Sequence, residues 1–298
     1  ATGMQAIPTT GLAHGIKYLN EQGIHNEASK DAIVVCSIGD GSMTEGEVSE
    51  ALQMAVLHQL PILYLVQDND WGISASGDEM RAMNAYQFAA GFKGLKRKKL
   101  NGSVFGECYH QMQEHIDWVR TKRKPMLVHV KVPLLGHHTS GVRSEWYRDD
   151  LDEHSKLDPL KNIIQEALKV GIEQKEIEQI RRECNSSIKQ AFEDAVSAKN
   201  PPLESLEEHV WAPTPITAET GNRTPDGGEK IIMVDAALHA VDELLNKHPE
   251  ALLYGQDVGI RLGGVFREAA TLAQKHGKGR VFNTPIQEAY IIGSTAGM

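Results

Sequence analysis

Two short apolar runs joined by one amphipathic helix constrain the fold of this chain more than any other feature. The first run covers residues 32–38 and the second covers residues 62–66. Between them, residues 45–59 carry apolar side chains at helical spacing, and Pro61 ends that helix. Continuous apolar runs of this length are typical of strands buried on both faces of a parallel sheet. The sequence therefore predicts a strand–helix–strand unit with parallel strands and a right-handed crossover.

Strand and helix patterns continue to alternate beyond this unit. Residues 105–119 repeat apolar side chains at helical spacing and lead into an apolar strand at residues 126–130. Helical patterns follow at residues 159–170 and 173–198, and the second has a single apolar stripe that places it along a surface. The alternation predicts an α/β fold, with an open parallel sheet flanked by helices.

The composition of the chain changes sharply after residue 211. Residues 212–228 are rich in Pro, Thr and Gly without periodicity, which predicts a linker. Helix and strand patterns then begin again. We therefore predict a first domain over residues 1–211 and the truncated start of a second, similar domain over residues 229–298, which is too short for a complete α/β domain. The chain opens without Met and ends in an apolar, Gly-rich segment, so we expect it to be part of a longer protein.

The charge balance argues against nucleic acid as a partner. The chain has 31 Lys+Arg and 40 Asp+Glu, a formal net charge of −9, and it lacks the clustered cations that a polyanion requires. The basic runs at residues 96–99 and 120–124 are interpreted as solvated loops or helix ends. No apolar stretch approaches the roughly 18–20 residues that cross a bilayer, and no signal peptide pattern is present, so we expect no membrane partner.

The cysteines indicate a reducing compartment. None of the three belongs to a Cys-x-x-Cys pair, which leaves neither a disulfide framework nor a thiolate zinc site. We interpret Cys36, Cys108 and Cys184 as buried thiols and predict a cytoplasmic protein.

Polar residues follow both buried strands. Gly39-Asp40-Gly41 ends the first, and Asp68-Asn69-Asp70 ends the second. Either tripeptide alone is typical of an ordinary turn. Together, however, they lie at the carboxyl ends of parallel strands, where open α/β sheets bind ligands. The carboxylate of Asp40 and the amide oxygen of Asn69 are hard donors that suit Mg²⁺, which completes its coordination with phosphate oxygens. The helix that begins near Glu45 would direct its N-terminal N–H groups toward the same site.

This combination resembles the thiamin diphosphate motif in the α subunit of the decarboxylating component of 2-oxo acid dehydrogenases, the pyruvate and branched-chain type. The matching segments are Gly39-Asp40-Gly41, Glu45-Gly46-Glu47, Glu50-Ala51, Leu60-Pro61, Asn69 and Trp71-Gly72-Ile73-Ser74. The resemblance implies that the side chains of Asp40 and Asn69 and the backbone carbonyl of Trp71 ligate Mg²⁺, which anchors the cofactor diphosphate. The expected cofactor-binding residues also include Gly39, Gly41, Ser42 and Ile73.

A second feature is the loop Gly136-His137-His138-Thr139-Ser140. The side chains of adjacent histidines point apart, and no third ligand is obvious. Taken by themselves, these histidines are therefore interpreted as solvent-exposed rather than as a metal pair. The loop resembles the cofactor-facing loop of the same family. That resemblance implies that His138 lies by the thiazolium and serves proton transfer or lipoyl acylation, work that suits an imidazole. By the same resemblance, Thr139 matches the position of a regulatory phosphoserine in some relatives.

A third feature resembles the start of the family's β subunit. It comprises Gly255-Gln256-Asp257-Val258, Gly263–Arg267 and Val281–Glu288. Glu288 alone would be interpreted as a surface carboxylate. The resemblance implies instead that Glu288 is catalytic, that it hydrogen-bonds the aminopyrimidine ring of the cofactor, and that it promotes the imino tautomer. We expect burial against apolar walls to raise the pKa of Glu288.

The resemblance covers the chain from about residue 1 to residue 298, as part of an α–β fusion. It implies oxidative decarboxylation of a 2-oxo acid and acyl transfer to the lipoyl groups of an acyltransferase partner. Because the family binds its cofactor between an α-type and a β-type domain, often from different chains, it also implies a homo-oligomer of at least two copies.

Three positions depart from the family pattern. Asp68 replaces the first asparagine of the usual pair, Gln67 stands where branched-chain relatives place an arginine, and Gln256 replaces a common glutamate. Two alternatives therefore stay open. One is another thiamin diphosphate enzyme such as a transketolase, and the other is a non-catalytic scaffold that retains the fold.

Overall fold

The computed structural model describes residues 2–24, 27–138, 141, 143–208, 210, 222 and 226–298. These residues form two compact units. The first contains Ala1–Ile163 together with Ile232–Met298, and the second contains Ile164–Ile231. Most of the predicted linker at residues 212–228 lies outside the described residues, and the predicted domain boundaries stay a prediction.

The described residues form both helices and strands. The α-helices are α1 Ala6–Gln22, α2 Glu27–Lys30, α3 Gly46–Leu57, α4 Gly77–Met80, α5 Ala85–Phe88, α6 Phe105–Lys122, α7 Leu151–Lys156, α8 Pro159–Lys169, α9 Gln174–Ser197, α10 Met233–Lys247, α11 Leu272–His276 and α12 Glu288–Thr295. The strands are β1 Val34–Gly39, β2 Ile62–Asp68, β3 Trp71–Gly72, β4 Ala75–Ser76, β5 Lys96–Asn101, β6 Met126–Lys131, β7 Leu253–Gly255 and β8 Val281–Asn283.

The main sheet has four strands in the order β1-β2-β6-β5, and every neighbouring pair is parallel. In β2 the apolar side chains are almost all fully buried, because the sheet is covered on both faces. The predicted α/β fold with an open parallel sheet is therefore confirmed. A parallel register places Gly39 beside Gln67 and Asp68 beside Lys131, so that the polar residues after β1, β2 and β6 share one edge of the sheet.

A smaller parallel pair, β7 and β8, packs with α10 and α11 in the same unit. Helix α12 follows this pair and packs on α1 through glycines. We call this contact the α1–α12 seam, formed by Gly11, Gly15, Ser294 and Gly297. A Cβ atom on Gly11 would lie 2.2 Å from the carbonyl oxygen of Ser294, so only glycine allows this approach. The backbone N–H of Tyr290 also donates to the Glu50 carboxylate of α3 at 2.9 Å.

Two expectations about charged and thiol side chains are corrected. The basic run at residues 96–99 does not form a loop or a helix end but lies on β5, the edge strand of the main sheet. Its cations stack on aromatic rings, with Lys96 4.0 Å from the Trp118 ring and Arg97 4.4 Å from the Tyr86 ring. Lysine on an edge strand discourages pairing with other chains. Of the cysteines, Cys36 is buried, but Cys184 is exposed on α9.

The second unit contains the long helix that the sequence predicts. Helix α9 spans 24 residues, and its apolar stripe is exposed, including Ile188 and Phe192. Among the described residues, none of the helices combines the length and the apolar character that a membrane crossing requires.

Two histidines, His14 buried and His58 half-buried, connect α1 to the smaller sheet and predict acid sensitivity. The rings of His14 and His58 lie 4.5 Å apart, and each is 5.4 Å from Phe282 of β8. Burial lowers the pKa of His14 to about 3, helped by the charges of His58 and Lys17. Burial and the charge of Lys17 lower the pKa of His58 to about 4. Both rings therefore stay neutral in the folded protein above these values.

The sign of the effect follows from the unfolded chain, where histidine takes up a proton near pH 6.5. As the pH falls below that value, the unfolded state binds protons that the folded state does not. The free energy of unfolding should therefore fall by about 2 kcal/mol for the two histidines together between pH 7 and pH 5.5. Urea unfolding at both pH values measures this. His14→Leu should remove about half of the pH dependence, and the same change at exposed His110 is the control. A loss that persists undiminished in His14→Leu would contradict the assignment.

Candidate functional site

Three carboxylates meet at the carboxyl edge of the main sheet. Asp40 directly follows β1, and its backbone N–H donates to the carbonyl of Gln67 at 3.1 Å, which continues the pairing with β2. Asp68 ends β2, and Asp70 follows it in a left-handed conformation with φ of 68°. One carboxylate oxygen from each of the three aspartates lies within 4.8 Å of the others. Carboxylate oxygens at this spacing are ligands that suit Mg²⁺, so these residues fit a divalent cation.

The guanidinium group of Arg81 lies among these carboxylates. It forms ion pairs with Asp40, with Asp68 at 3.2 Å and with Asp70 at 2.5 Å. Arg81 directly follows α4, whose first turn is closed by a capping box between Ser76 and Glu79. The side chains of Arg81, Asp40 and Asp68 are at most 8% exposed, so these two ion pairs form away from bulk water, whereas Asp70 is half-exposed.

Asp68 is the most enclosed member of the cluster. Its carboxylate contacts His129 Nε2 at 2.5 Å and Lys131 Nζ at 3.3 Å. Although burial opposes it, the hydrogen bond with His129 and the charges of Lys131 and Arg81 hold the pKa of Asp68 well below its usual value. Burial and the negative charge of Asp68 raise the pKa of Asp40, and the ion pair with Arg81 opposes that shift. The extra negative charge at Asp68 is thus balanced by cationic and polar partners on neighbouring elements.

Asn69 and Trp71 share the turn that carries Asp68 and Asp70. The side-chain oxygen of Asn69 accepts a hydrogen bond from the backbone N–H of Trp71 at 2.9 Å. The indole N–H of Trp71 donates to Asp150 at 3.3 Å. The structure therefore brings Asn69 and Trp71 to the same sheet edge as Asp40, but the recorded contact of Asp40 with this turn passes through Arg81. Their roles as metal ligands stay a prediction.

The other predicted cofactor-binding residues flank this edge. Neither Gly39 nor Gly41 has a positive φ, and a Cβ atom on Gly41 would meet nothing within 4 Å, which leaves room for a ligand. Ser42 is buried in a 3₁₀ turn, Gly41–Thr44, that precedes α3. Ile73 is exposed with φ of 63°, a conformation that is strained for a β-branched residue and is concentrated at ligand sites.

The histidine loop is anchored by His137. The backbone N–H of Ser144 donates to His137 Nδ1 at 3.0 Å, and Glu145 lies 3.5 Å from the same atom. His138 is exposed, and Thr139 lies outside the described residues.

The segment after this loop contacts the turn at residues 68–71. The Arg148 guanidinium lies 5.2 Å from the centre of the Trp71 ring, and the Tyr147 ring lies 5.7 Å from it. Arg148 is buried and donates to Asp150 at 2.8 Å and to the carbonyl of Leu134 at 3.1 Å. These contacts hold Tyr147 and Arg148 next to the turn that carries Asn69.

Glu288 is the first residue of α12 and lies outside the carboxylate cluster. The side chain of Gln256 donates to the Glu288 carboxylate at 3.0 Å. This hydrogen bond and one from backbone lower the pKa of Glu288, and the side chain is exposed. The expectation that burial raises this pKa is therefore wrong for the described chain, because no apolar wall covers the carboxylate here.

Sequence reasoning missed Arg81 and the pair of Asp68 and His129. His129 lies inside an apolar strand, where a buried polar residue signals a partner. Arg81 has no comparable local signal, since its partners are up to 41 positions away.

Two protein families match this chain in succession. The family described as the dehydrogenase E1 component matches residues 2–204. The transketolase pyrimidine binding domain matches residues 229–298.

Individual relatives agree with the first match. The chain is 30% identical over 213 residues to the pyruvate dehydrogenase E1 component subunit alpha of Rickettsia bellii, covering 69% of this chain and 60% of that protein. It is 29% identical over 160 residues to the 3-methyl-2-oxobutanoate dehydrogenase subunit alpha of Mycobacterium tuberculosis, covering 53% of this chain and 41% of that protein. The chain thus spans at most about 60% of the length of these curated relatives.

Solved structures share the fold. A transketolase from Campylobacter jejuni superposes with a TM-score of 0.55 over 99% of this chain and 46% of its own, at 16% identity. A transketolase from Leishmania mexicana also has a TM-score of 0.55, at 15% identity. At such identities the likeness concerns the fold alone.

Proposed function

The chain belongs to the dehydrogenase E1 component family, and from that membership we propose that it is part of the decarboxylating component of a 2-oxo acid dehydrogenase complex. The observation that carries this proposal is the family match over residues 2–204, within which three carboxylates meet at the carboxyl edge of the sheet. The match to a transketolase pyrimidine binding domain over residues 229–298 supports a thiamin diphosphate enzyme built as an α–β fusion.

We propose thiamin diphosphate and Mg²⁺ as the cofactors. The carboxylate of Asp40, the amide oxygen of Asn69 and the backbone carbonyl of Trp71 would hold the metal, and the acidic donors at this edge support that assignment. Gly39, Gly41, Ser42 and Ile73 would line the diphosphate end of the cofactor, which the open space beside Gly41 allows. Asn69 would exchange its hydrogen bond with the Trp71 N–H for the metal.

Two catalytic roles are assigned to residues of this chain. When bound, thiamin diphosphate supplies the nucleophilic carbon and accepts the electrons that carbon dioxide leaves behind. Glu288 would hold a proton at the pyrimidine ring, and its pKa has to rise when the cofactor and a neighbouring domain cover it. His138 would move a proton during acyl transfer, and its exposed position leaves it accessible to a lipoyl arm.

The partners follow from the same family. We propose a small 2-oxo acid as substrate, a lipoyl-bearing acyltransferase component as the acyl acceptor and a homo-oligomer of at least two copies. A cytoplasmic location is part of this proposal, since the three cysteines are free thiols.

The test is an assay of the full-length protein with thiamin diphosphate and Mg²⁺. Release of carbon dioxide from pyruvate or from branched-chain 2-oxo acids is expected. Transfer of two-carbon units between sugar phosphates without decarboxylation would favour a transketolase instead. A protein that shows no Mg²⁺-dependent binding of thiamin diphosphate would be a scaffold that retains only the fold.

Glu288→Gln should lower the decarboxylation rate by about 100-fold, the lower end of what general acid–base catalysis contributes. Glutamine keeps the shape and can still hydrogen-bond, but it cannot hold or release the proton. Cofactor binding should change much less than the rate. The matched control is Glu250→Gln, an exposed carboxylate just before β7. A Glu288→Gln variant as active as this control would remove Glu288 from the catalytic residues.

A further inference from the structure

The carboxylates at the proposed metal site already form ion pairs with a cationic side chain of the protein. Arg81 forms ion pairs with Asp40, Asp68 and Asp70. We propose that Arg81 is a resident counter-ion that competes with Mg²⁺ for Asp40, so that the metal binds only as the guanidinium leaves. This inference rests on the proposed function, because it concerns the same metal.

Burial makes the two cations exclusive. The side chain of Asp40 is 5% exposed and that of Arg81 is 8% exposed, so little water separates charges at this position. A divalent ion on Asp40 would lie within a few ångströms of the guanidinium, in surroundings where like charges repel far more strongly than in water. Lys131 also contacts Asp68, but it is largely exposed and can turn toward solvent. Arg81 is therefore the cation that the metal has to replace.

The backbone around Arg81 is shaped for this ion pair. The N–H of Gly77 donates to the carbonyl of Asp70 at 2.8 Å, which joins α4 to the turn at residues 68–71. A Cβ atom on Gly77 would lie 2.1 Å from the Asp70 carboxylate and 2.6 Å from the Arg81 guanidinium. The missing side chain of Gly77 thus makes the room in which Arg81 meets Asp70. Both atoms end flexible side chains, so a methyl group there displaces the ion pair rather than the backbone.

Arg81 also explains how the chain accommodates the buried carboxylate of Asp68 beside that of Asp40. With Arg81 and His129 on Asp68, the added negative charge is compensated before any metal binds. When the metal arrives, it takes over from Arg81 the neutralisation of Asp40, while His129 stays on Asp68. The same residues can then serve both the ion-paired and the metal-bound arrangements.

The experiment measures metal binding directly on the full-length protein. Mn²⁺, a spectroscopic substitute for Mg²⁺, is titrated with and without thiamin diphosphate, and free Mn²⁺ is followed by electron paramagnetic resonance. Arg81→Gln should bind Mn²⁺ about 10-fold more tightly than the parent, because no charged hydrogen bond has to be broken first. Gly77→Ala, which keeps the charge but displaces the pair, should shift the affinity in the same direction by a smaller factor.

Matched controls separate competition from charge and from helix propensity. Arg120→Gln removes an exposed ion-paired arginine on α6, and Gly91→Ala adds a methyl group where a Cβ meets nothing within 4 Å. Both should bind Mn²⁺ like the parent. Equal affinity in Arg81→Gln, Gly77→Ala and the parent would overturn the competition and leave the proposed function standing. Failure of every variant, including the parent, to bind Mn²⁺ with thiamin diphosphate would overturn both.

Discussion

Asp40→Asn is expected to weaken Mg²⁺-dependent binding of thiamin diphosphate, and the decarboxylation rate at fixed cofactor, by about 1000-fold, as loss of a preorganised electrostatic contact in a buried site does. Asparagine keeps the shape of the side chain but removes the negative charge that attracts the metal. The fold should tolerate the change, because Arg81 keeps its ion pairs with Asp68 and Asp70. Calorimetric titration of the cofactor at constant Mg²⁺ measures the loss.

The control for Asp40 is a carboxylate that also pairs with an arginine. Asp117 on α6 is exposed and lies 3.1 Å from Arg120. Asp117→Asn should leave both cofactor affinity and rate unchanged. Thermal unfolding of Asp40→Asn near the parental midpoint would show that the protein is intact. If that intact variant kept the parental cofactor affinity, Asp40 would not be a metal ligand.

Gly11→Ala is expected to lower the free energy of unfolding by about 3 kcal/mol, at the upper end for overpacking a tight contact. The added Cβ would lie 2.2 Å from the carbonyl oxygen of Ser294 and 2.8 Å from its Cα. These are backbone atoms, so α12 itself has to move away from α1. Because α12 begins with Glu288, decarboxylation should fall together with stability. Urea unfolding followed by circular dichroism measures the first effect.

A graded series makes this prediction specific. A Cβ on Gly15, one turn along the same helix, would lie 3.1 Å from the carbonyl oxygen of Met298, a close contact that a small shift relieves. Gly15→Ala should therefore destabilise the protein much less, especially as alanine favours the helix. Gly91→Ala, which meets no neighbouring atom, serves as the neutral reference. Equal stability of the Gly11 and Gly15 variants would show that the α1–α12 seam is not tightly packed.

The sheet could be predicted from the sequence because its signal is local. The apolar run at residues 62–66 is typical of a strand covered on both faces, and the structure buries it in the middle of the sheet. The rule that polar residues after neighbouring parallel strands share an edge then places Asp40 beside Asp68. The first inference depends on a local pattern of apolar residues and the second on the geometry of parallel strands.

Features that depend on distant side chains could not be predicted in this way. Arg81 joins the cluster through the path of residues 70–81, which no periodicity encodes. Glu288 was expected to be buried, but burial is set by whatever packs over α12, and here its carboxylate is exposed with a hydrogen bond from the Gln256 side chain. The basic run at residues 96–99 resembled a solvated loop because four consecutive charged side chains show no apolar pattern typical of a strand. The aromatic rings that these cations contact, Tyr86 and Trp118, lie on other elements.

In most protein interiors an added methyl group meets side chains, which can change rotamer to relieve the contact at a cost of about 1–3 kcal/mol. Gly11 in the α1–α12 seam offers no such relief, because it faces the main chain of Ser294 in α12. Helix α1 belongs to the part of the chain that matches one family, and α12 to the part that matches another. At Gly11 and Ser294, a change in either helix therefore requires a compensating change in the course of its neighbour.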